Sequence, residues 1–232
     1  MGKLKNLGSK LLAGPYVIWM LLFTVIPLGL IIYNGFTNSD GRFTFKYVAA
    51  IADPVNAKPL LLSFEMSLIV TVVCLLLAFP LAVILSKYST DKNSFIVMIF
   101  ILPMWMNFML RTLAWRLILL NNGFLNQFLT MLGLSKVYLM NTKAAIIFGT
   151  AYDYFPFMVL PIYNAVVKID KDVINAAKDL GATNSVVLRK IILPLSVPGI
   201  VSGITMVLVP SMSEFVIADM LGGGKIYLIG NA

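Results

Sequence analysis

A chain of 232 residues that is 59% hydrophobic and 12% charged, with a mean hydropathy of +0.91, has too little polar surface to clothe a soluble core. Its net charge of +8 comes from basic residues dispersed in short segments between apolar runs, as membrane orientation signals are and a nucleic-acid footprint is not. The lack of histidine leaves zinc and imidazole chemistry unsupported, and one cysteine, Cys74, excludes an intrachain disulfide.

Apolar segments of ~20 residues or more, enough to cross a bilayer, recur along the chain. The first, Leu11–Tyr33, follows Lys3, Lys5 and Lys10. It is longer than a signal-peptide core and lacks a small-residue cleavage site, so it reads as an uncleaved span. The second is Leu60–Leu85 and contains Cys74, where a small buried residue is expected. The third is Phe95–Leu120, the fourth Ala144–Val167 and the fifth Ile192–Phe215. Between the third and fourth, Phe124–Leu132 suits a short helix along the outer face. Pro27, Pro80, Pro103, Pro156, Pro161, Pro198 and Pro210 fall within spans, where neighbouring helices must satisfy the freed carbonyls. The expected fold is an all-α polytopic membrane bundle forming one domain over residues 1–232.

Placing the N-terminus in the cytoplasm puts Lys3, Lys5, Lys10, Lys87, Lys92, Lys168, Lys171, Lys178, Arg189 and Lys190 inside. Arg42, Lys46, Lys58, Lys136, Lys143 and Lys225 then lie outside, and ten against six favours this orientation. The final segment, "DMLGGGKIYLIGNA", is expected outside and reads as a chain cut before a sixth span.

The segment 168–194 is then a cytoplasmic loop. Asp170 is a suitable N-cap and Asp172 opposes the dipole in the first turn of a helix. Val173, Ala176, Ala177 and Leu180 recur at helical spacing as one small, apolar, exposed face, and Gly181 suits the C-terminal cap. A second helix starts near Thr183 or Asn184, with Pro194 expected to bend it. An amphipathic helix lying on lipid headgroups is the alternative, but alanine and glycine add little membrane affinity.

The run Asn175-Ala176-Ala177, three residues, Gly181, nine residues, then Ile191-Ile192-Leu193-Pro194 resembles the "EAA" signature of bacterial ABC importer permeases. It departs from that signature only at Asn175, where the family usually carries glutamate. The resemblance implies a type I permease whose coupling helix docks on a separate ABC ATPase dimer, with Asn175, Ala176, Ala177, Gly181, Ile191, Leu193 and Pro194 as coupling residues. It also implies a second permease subunit and an extracellular or periplasmic binding protein. The chain has no phosphate loop of the G-x-x-x-x-G-K-[ST] type, so ATP and Mg are expected on the partner ATPase, with no cofactor bound here. The expected location is a bacterial cytoplasmic membrane, with lipid around the spans and no nucleic acid.

"LPMWMNFMLRTLAW", "NNGFLNQFLTMLG", "FPFMVLPIYNAV" and "ADMLGGGKIYLIGN" are similar to the first permease subunits of spermidine/putrescine importers. A polycation crossing a bilayer calls for carboxylates and aromatic faces. Asp153, ~14 Å into the fourth span, is the first candidate, with Tyr152 and Tyr154 beside it; a buried Asp bonded to an arginine or a neighbouring helix is the alternative. Glu214 is a candidate external gate and Trp105 a candidate substrate-facing ring. Glu65 reads as snorkelling to headgroups and Trp115 as an interfacial anchor. Arg111 repels a cation, so it pairs with Asp153, Glu214 or a partner subunit, or else marks an anionic substrate. Other cargoes of related permeases, such as ferric iron or thiamine, stay open. An ion-coupled secondary transporter lacks the expected internal repeat.

Overall fold

The computed structural model describes residues 14–38, 41–88, 102 and 104–231. Residues 95–101 and 103 of the third expected span, and Lys3, Lys5, Lys10 and Lys92, lie outside the described residues. The described residues fall into two compact units that divide between Ala57 and Lys58. Among them, four helices are long and apolar enough to cross a membrane: Gly14–Gly35, Pro54–Lys87, Lys143–Val167 and Asn184–Met212.

In the first unit, α1 (Gly14–Gly35) is apolar all round and exposes nearly every large side chain, the pattern of a helix that meets hydrocarbon. Pro27 cannot donate a backbone hydrogen bond, and the helix widens into a π turn at Leu21–Val25 just before it. The chain then reverses through a bridge between Thr37 and Phe43, closed by Phe36, Phe43 and Phe45 with ring centroids 5.0–5.8 Å apart. A short α2 (Lys46–Ala49) follows.

The second unit holds most of α3 (Pro54–Tyr88), then α4 (Phe108–Leu119), α5 (Phe124–Met131), α6 (Lys143–Val167), α7 (Lys171–Asp179), α8 (Asn184–Met212) and α9 (Val216–Gly222). α3 reverses the soluble pattern. Ser63, Ser67, Thr71, Cys74, Ala78 and Ala82 are buried along one stripe, while Leu61, Phe64, Leu68, Leu76 and Ile84 are exposed. Where the solvent is as greasy as the side chains, burial gains come from close packing, and small residues permit it. Ser67 donates to Phe64 O and Thr71 to Ser67 O within the helix, while Ser63 Oγ accepts from Ile229 N–H at 2.8 Å. Cys74 is fully buried, with its Sγ 3.5 Å from Ala151 O on α6.

α3 and α6 run side by side in the same direction. Near their starts Lys143 Nζ lies 3.6 Å from Glu65, and near their ends Val83 and Val166 share one core with Val187 and Ile192 of α8. Glu65, expected to snorkel, is exposed and has this ionic partner. α6 packs most extensively on α8. There Gly199 sits where a Cβ would come 2.5 Å from both Pro161 O and Ala165 Cβ, and Gly203 faces Met158.

The fourth expected span matches α6 within one residue, and the second lies inside α3, which starts six positions earlier and ends three later. The second helix of the loop starts at Asn184, as expected, and runs on through the expected start of the fifth span at Ile192, because Pro194 does not interrupt it. A π turn at Leu188–Ile192 lets Leu193 N–H reach Leu188 O and absorbs the donor that Pro194 lacks. Phe124–Leu132 is helical over Phe124–Met131, as expected.

The Gly199 contact predicts that Gly199→Ala lowers stability by about 1–3 kcal/mol through overpacking. Gly29→Ala in α1, where an added Cβ meets nothing within 4 Å, should be neutral. Thermal unfolding of the two variants in the same bilayer checks this, and equal melting curves would contradict the close approach.

Candidate functional site

The loop between α6 and α8 is built as its local sequence dictates. Asp170 accepts a hydrogen bond from Asp172 N–H at 2.9 Å, capping α7, with Asp172 in its first turn and Lys178 in its last. At the other end Gly181 takes φ +84°, which an L side chain resists. Gly181 N–H reaches Lys178 O at 2.8 Å and Ala182 N–H reaches Ala177 O at 3.0 Å, the paired closure of a Schellman turn.

α7 has distinct faces. Ile174 and Ala177 pack onto the core cluster of α3, α6 and α8. Val173, Ala176 and Leu180 point away from it, with Leu180 90% exposed. The expectation that both alanines lie on the exposed face is therefore corrected: Ala177 follows Ile174 by three positions and turns inward with it. Of the other signature residues, Asn175 and Gly181 are exposed, and Ile191 packs on the core beside the buried Ile192. Leu193 and Pro194 are exposed on α8. The loop is thus clamped on one side and bare on the other.

A second group lies within the bundle. Arg111 on α4 places Nη2 3.1 Å from Asp153 Oδ1 on α6, with both side chains 8% exposed. Thr112 Oγ1 lies 3.3 Å from Asp153 Oδ2 and 2.9 Å from its own helix's Phe108 O. The Arg111–Asp153 contact has ion-pair distance without hydrogen-bond alignment, and Arg111 Nε and Nη1 have no hydrogen-bond partner among the described residues. The Arg111 guanidinium also lies 5.8 Å from the centroid of the Tyr152 ring, within cation–π reach. Trp115 stands edge-on to Tyr152 at 5.2 Å and to Phe148 at 4.6 Å. A buried pair of this kind is costly to desolvate and costlier to break.

Next to Asp153, Tyr154 donates its hydroxyl to Glu214 Oε2 at 3.1 Å. The other oxygen of Glu214 accepts from Val216 N–H at 3.0 Å and Ile217 N–H at 3.3 Å, so it caps the start of α9. Adjacent residues of α6 thereby reach both α4 and the α8–α9 junction. Among the sequence candidates, Asp153, Tyr152 and Glu214 are gathered here. Trp105, 74% exposed, shares no ring contact with them among the described residues. The arginine-paired alternative for Asp153 is the arrangement found. Thr112 and Tyr154 complete the group; Thr112 had only its place beside Arg111 to signal it.

The chain matches the model of a family described as binding-protein-dependent transport system inner membrane component over residues 11–231. It is 37% identical over 221 residues to the spermidine/putrescine transport system permease protein PotB of Salmonella typhimurium, covering 92% of this chain and 77% of that one. It is 34% identical over 236 residues to the PotB of Haemophilus influenzae, covering 98% and 82%. In fold it is similar to a solved bacterial alginate ABC transporter, crystallised with an alginate pentasaccharide-bound periplasmic protein. That likeness has a TM-score of 0.65 at 20% identity and covers 98% of this chain and 80% of that one.

The ion pair predicts strong coupling between α4 and α6. Arg111→Met or Asp153→Leu alone should cost about 3–5 kcal/mol by stranding a buried charge, and the double variant far less than their sum. A double-mutant cycle of unfolding in lipid measures the coupling, and additive losses would show that the two groups do not interact.

Proposed function

The chain belongs to the family of binding-protein-dependent transport system inner membrane components, and on that premise we propose that it carries spermidine or putrescine inward by alternating access. It is a multi-pass permease subunit of an ATP-driven importer and hydrolyses no ATP itself. ATP and Mg sit on a cytoplasmic ATPase dimer, a second permease completes the pathway, and a periplasmic or extracellular binding protein delivers the polyamine. The N-terminus is cytoplasmic, which puts the α6–α8 loop on the ATPase side, in keeping with the excess of basic residues there. The observation that carries the choice of cargo is the likeness to polyamine permeases over nearly the whole chain, at 34–37% identity.

Val173, Ala176 and Leu180 insert into the ATPase, and the Schellman turn at Gly181 holds α7 at the required angle. Because Ile174, Ala177 and Ile191 anchor the loop to the bundle, a pull on α7 is transmitted to α6 and α8. Movement of α6 separates Asp153 from Arg111 and frees its carboxylate for a substrate ammonium. The Tyr152 and Trp115 rings then offer the aromatic faces that a methylene-linked polycation favours. Arg111 thus serves as the placeholder cation of the closed state.

Two experiments separate the engine from the cargo. Leu180→Asp, at an exposed position, should leave the melting curve of the purified complex unchanged while uncoupling its ATPase from substrate; retained coupling would refute the docking face. Labelled-spermidine uptake by cells carrying the complete operon should exceed that of cells lacking it and should fall at least tenfold with Asp153→Asn, a loss of about 1.4 kcal/mol or more in transition-state stabilisation. Uptake equal to that of cells lacking the operon would reject the polyamine, and full uptake by Asp153→Asn would reject the carboxylate's role.

A further inference from the structure

Beneath α7, where α3 and α6 end and α8 begins, lies a cavity of about 610 Å³ that transport as proposed does not use. Its interior is apolar: Val83, Val166, Val187 and Ile192 line it, and all four belong to the buried core. Its other lining residues include Lys87, Lys171 and Lys178, one from the end of α3 and two from a single face of α7. No aspartate or glutamate lines it among the described residues. Asp172 and Asp179 each follow one of these lysines by one position, about a quarter turn away on α7, and neither lines the cavity; Asp170 is engaged in capping. Asn175 stands on the cavity wall at the position where a carboxylate would cancel part of this charge.

None of the three lysines forms an ion pair among the described residues, where the pairs are Arg111–Asp153 and Lys143–Glu65. Asn184 and Ser185, the first residues of the 29-residue α8, also line the cavity and add the positive end of that helix. The space thus combines cationic groups with a greasy floor at the point where membrane spans leave the bilayer.

We propose that this cavity binds an anionic phospholipid, with its phosphate held by Lys87, Lys171 and Lys178 and its glycerol and upper acyl chain against Val83, Val166 and Ile192. A soluble phosphate would satisfy the lysines and leave the apolar floor unused, whereas a lipid satisfies both and arrives laterally past the ends of α3 and α6. That the leaflet is the cytoplasmic one rests on the orientation proposed above; the binding itself does not. A lipid there underlies the same helix whose other face is free for the ATPase, so membrane composition would bear directly on the loop.

The test uses the complete transporter in nanodiscs of mixed phosphatidylglycerol and phosphatidylcholine, extracted into detergent, with retained lipid counted by mass spectrometry. Wild type should retain phosphatidylglycerol above its bulk share. Lys171→Gln/Lys178→Gln should reduce that retention about tenfold, since each lysine contributes appreciably to anionic-lipid affinity. Asn175→Glu should reduce it as well, and Lys171→Arg/Lys178→Arg should preserve it, which separates lost charge from lost folding. Retention that is unselective in wild type, or unchanged by the glutamine pair, overturns the proposal. So does displacement of the lipid by millimolar inorganic phosphate, which would mark a free-anion site. Loss of the ATPase from the glutamine variant without any wild-type lipid selectivity would assign the lysines to the protein partner and overturn it too. Because the readout is retained lipid, a failure of the polyamine assignment leaves this result untouched.

Discussion

The contact between α6 and α8 is the constraint on which the rest of the second unit depends. In hydrocarbon the helices gain nothing from hiding apolar surface, so they hold together by fit, and Gly199 and Gly203 provide the fit by removing side chains where Pro161 and Met158 approach. These two helices are also the ones joined by the loop. Fixing them against each other fixes both ends of that loop, and the segment between them, residues 168–183, becomes a defined surface. The Asp170 cap and the Gly181 turn complete locally what the helix pair begins.

The same logic explains why polar groups lie where they do. α3 turns serines, a threonine, a cysteine and alanines inward, because small groups permit close packing, while Leu61, Leu68 and Leu76 face outward. Arg111 and Asp153 are the departure from this economy. Nothing in packing requires a guanidinium and a carboxylate between α4 and α6, and isosteric apolar residues would fill the space at less cost. Two guanidinium nitrogens stay unpartnered among the described residues, so the pair has fewer bonds than its burial calls for.

Much of this was legible in the sequence, for reasons that also mark where it failed. Apolar runs identify spans because the bilayer sets their length, and the caps of α7 were readable because each involves residues a few positions apart. Periodicity said that Val173, Ala176, Ala177 and Leu180 share a sector. It could not say which edge of that sector the bundle would take, and Ile174 drew Ala177 inward. Pro194 was read as a bend from its chemistry alone; the π turn at Leu188–Ile192 that accommodates it involves residues with no proline or glycine to announce it. The choice of Asp153 over Glu214 for Arg111 is a tertiary matter: Thr112 and Asp153 touch across 41 positions, and no local pattern encodes that. The signature spacing was informative about an engine, whereas the cargo rested on likeness over longer segments.

α6 joins the two sites physically. From Asp153, near the middle of α6, to the helix end at Val167 the chain advances about 21 Å along its axis, so the charge group and the loop lie on one rod. Pro156 and Pro161 stand between them, each removing a backbone hydrogen bond and leaving a carbonyl to be satisfied elsewhere. A rod weakened at two points transmits little force unless it is supported there. The support is α8: Gly199 meets Pro161 and Gly203 meets Met158 on that stretch. The glycines that pack the bundle thereby also stiffen the link between loop and carboxylate. Loosening that contact should weaken transmission from α7 to Asp153 before it unfolds the helices, because the hydrogen bonds within each helix do not depend on it.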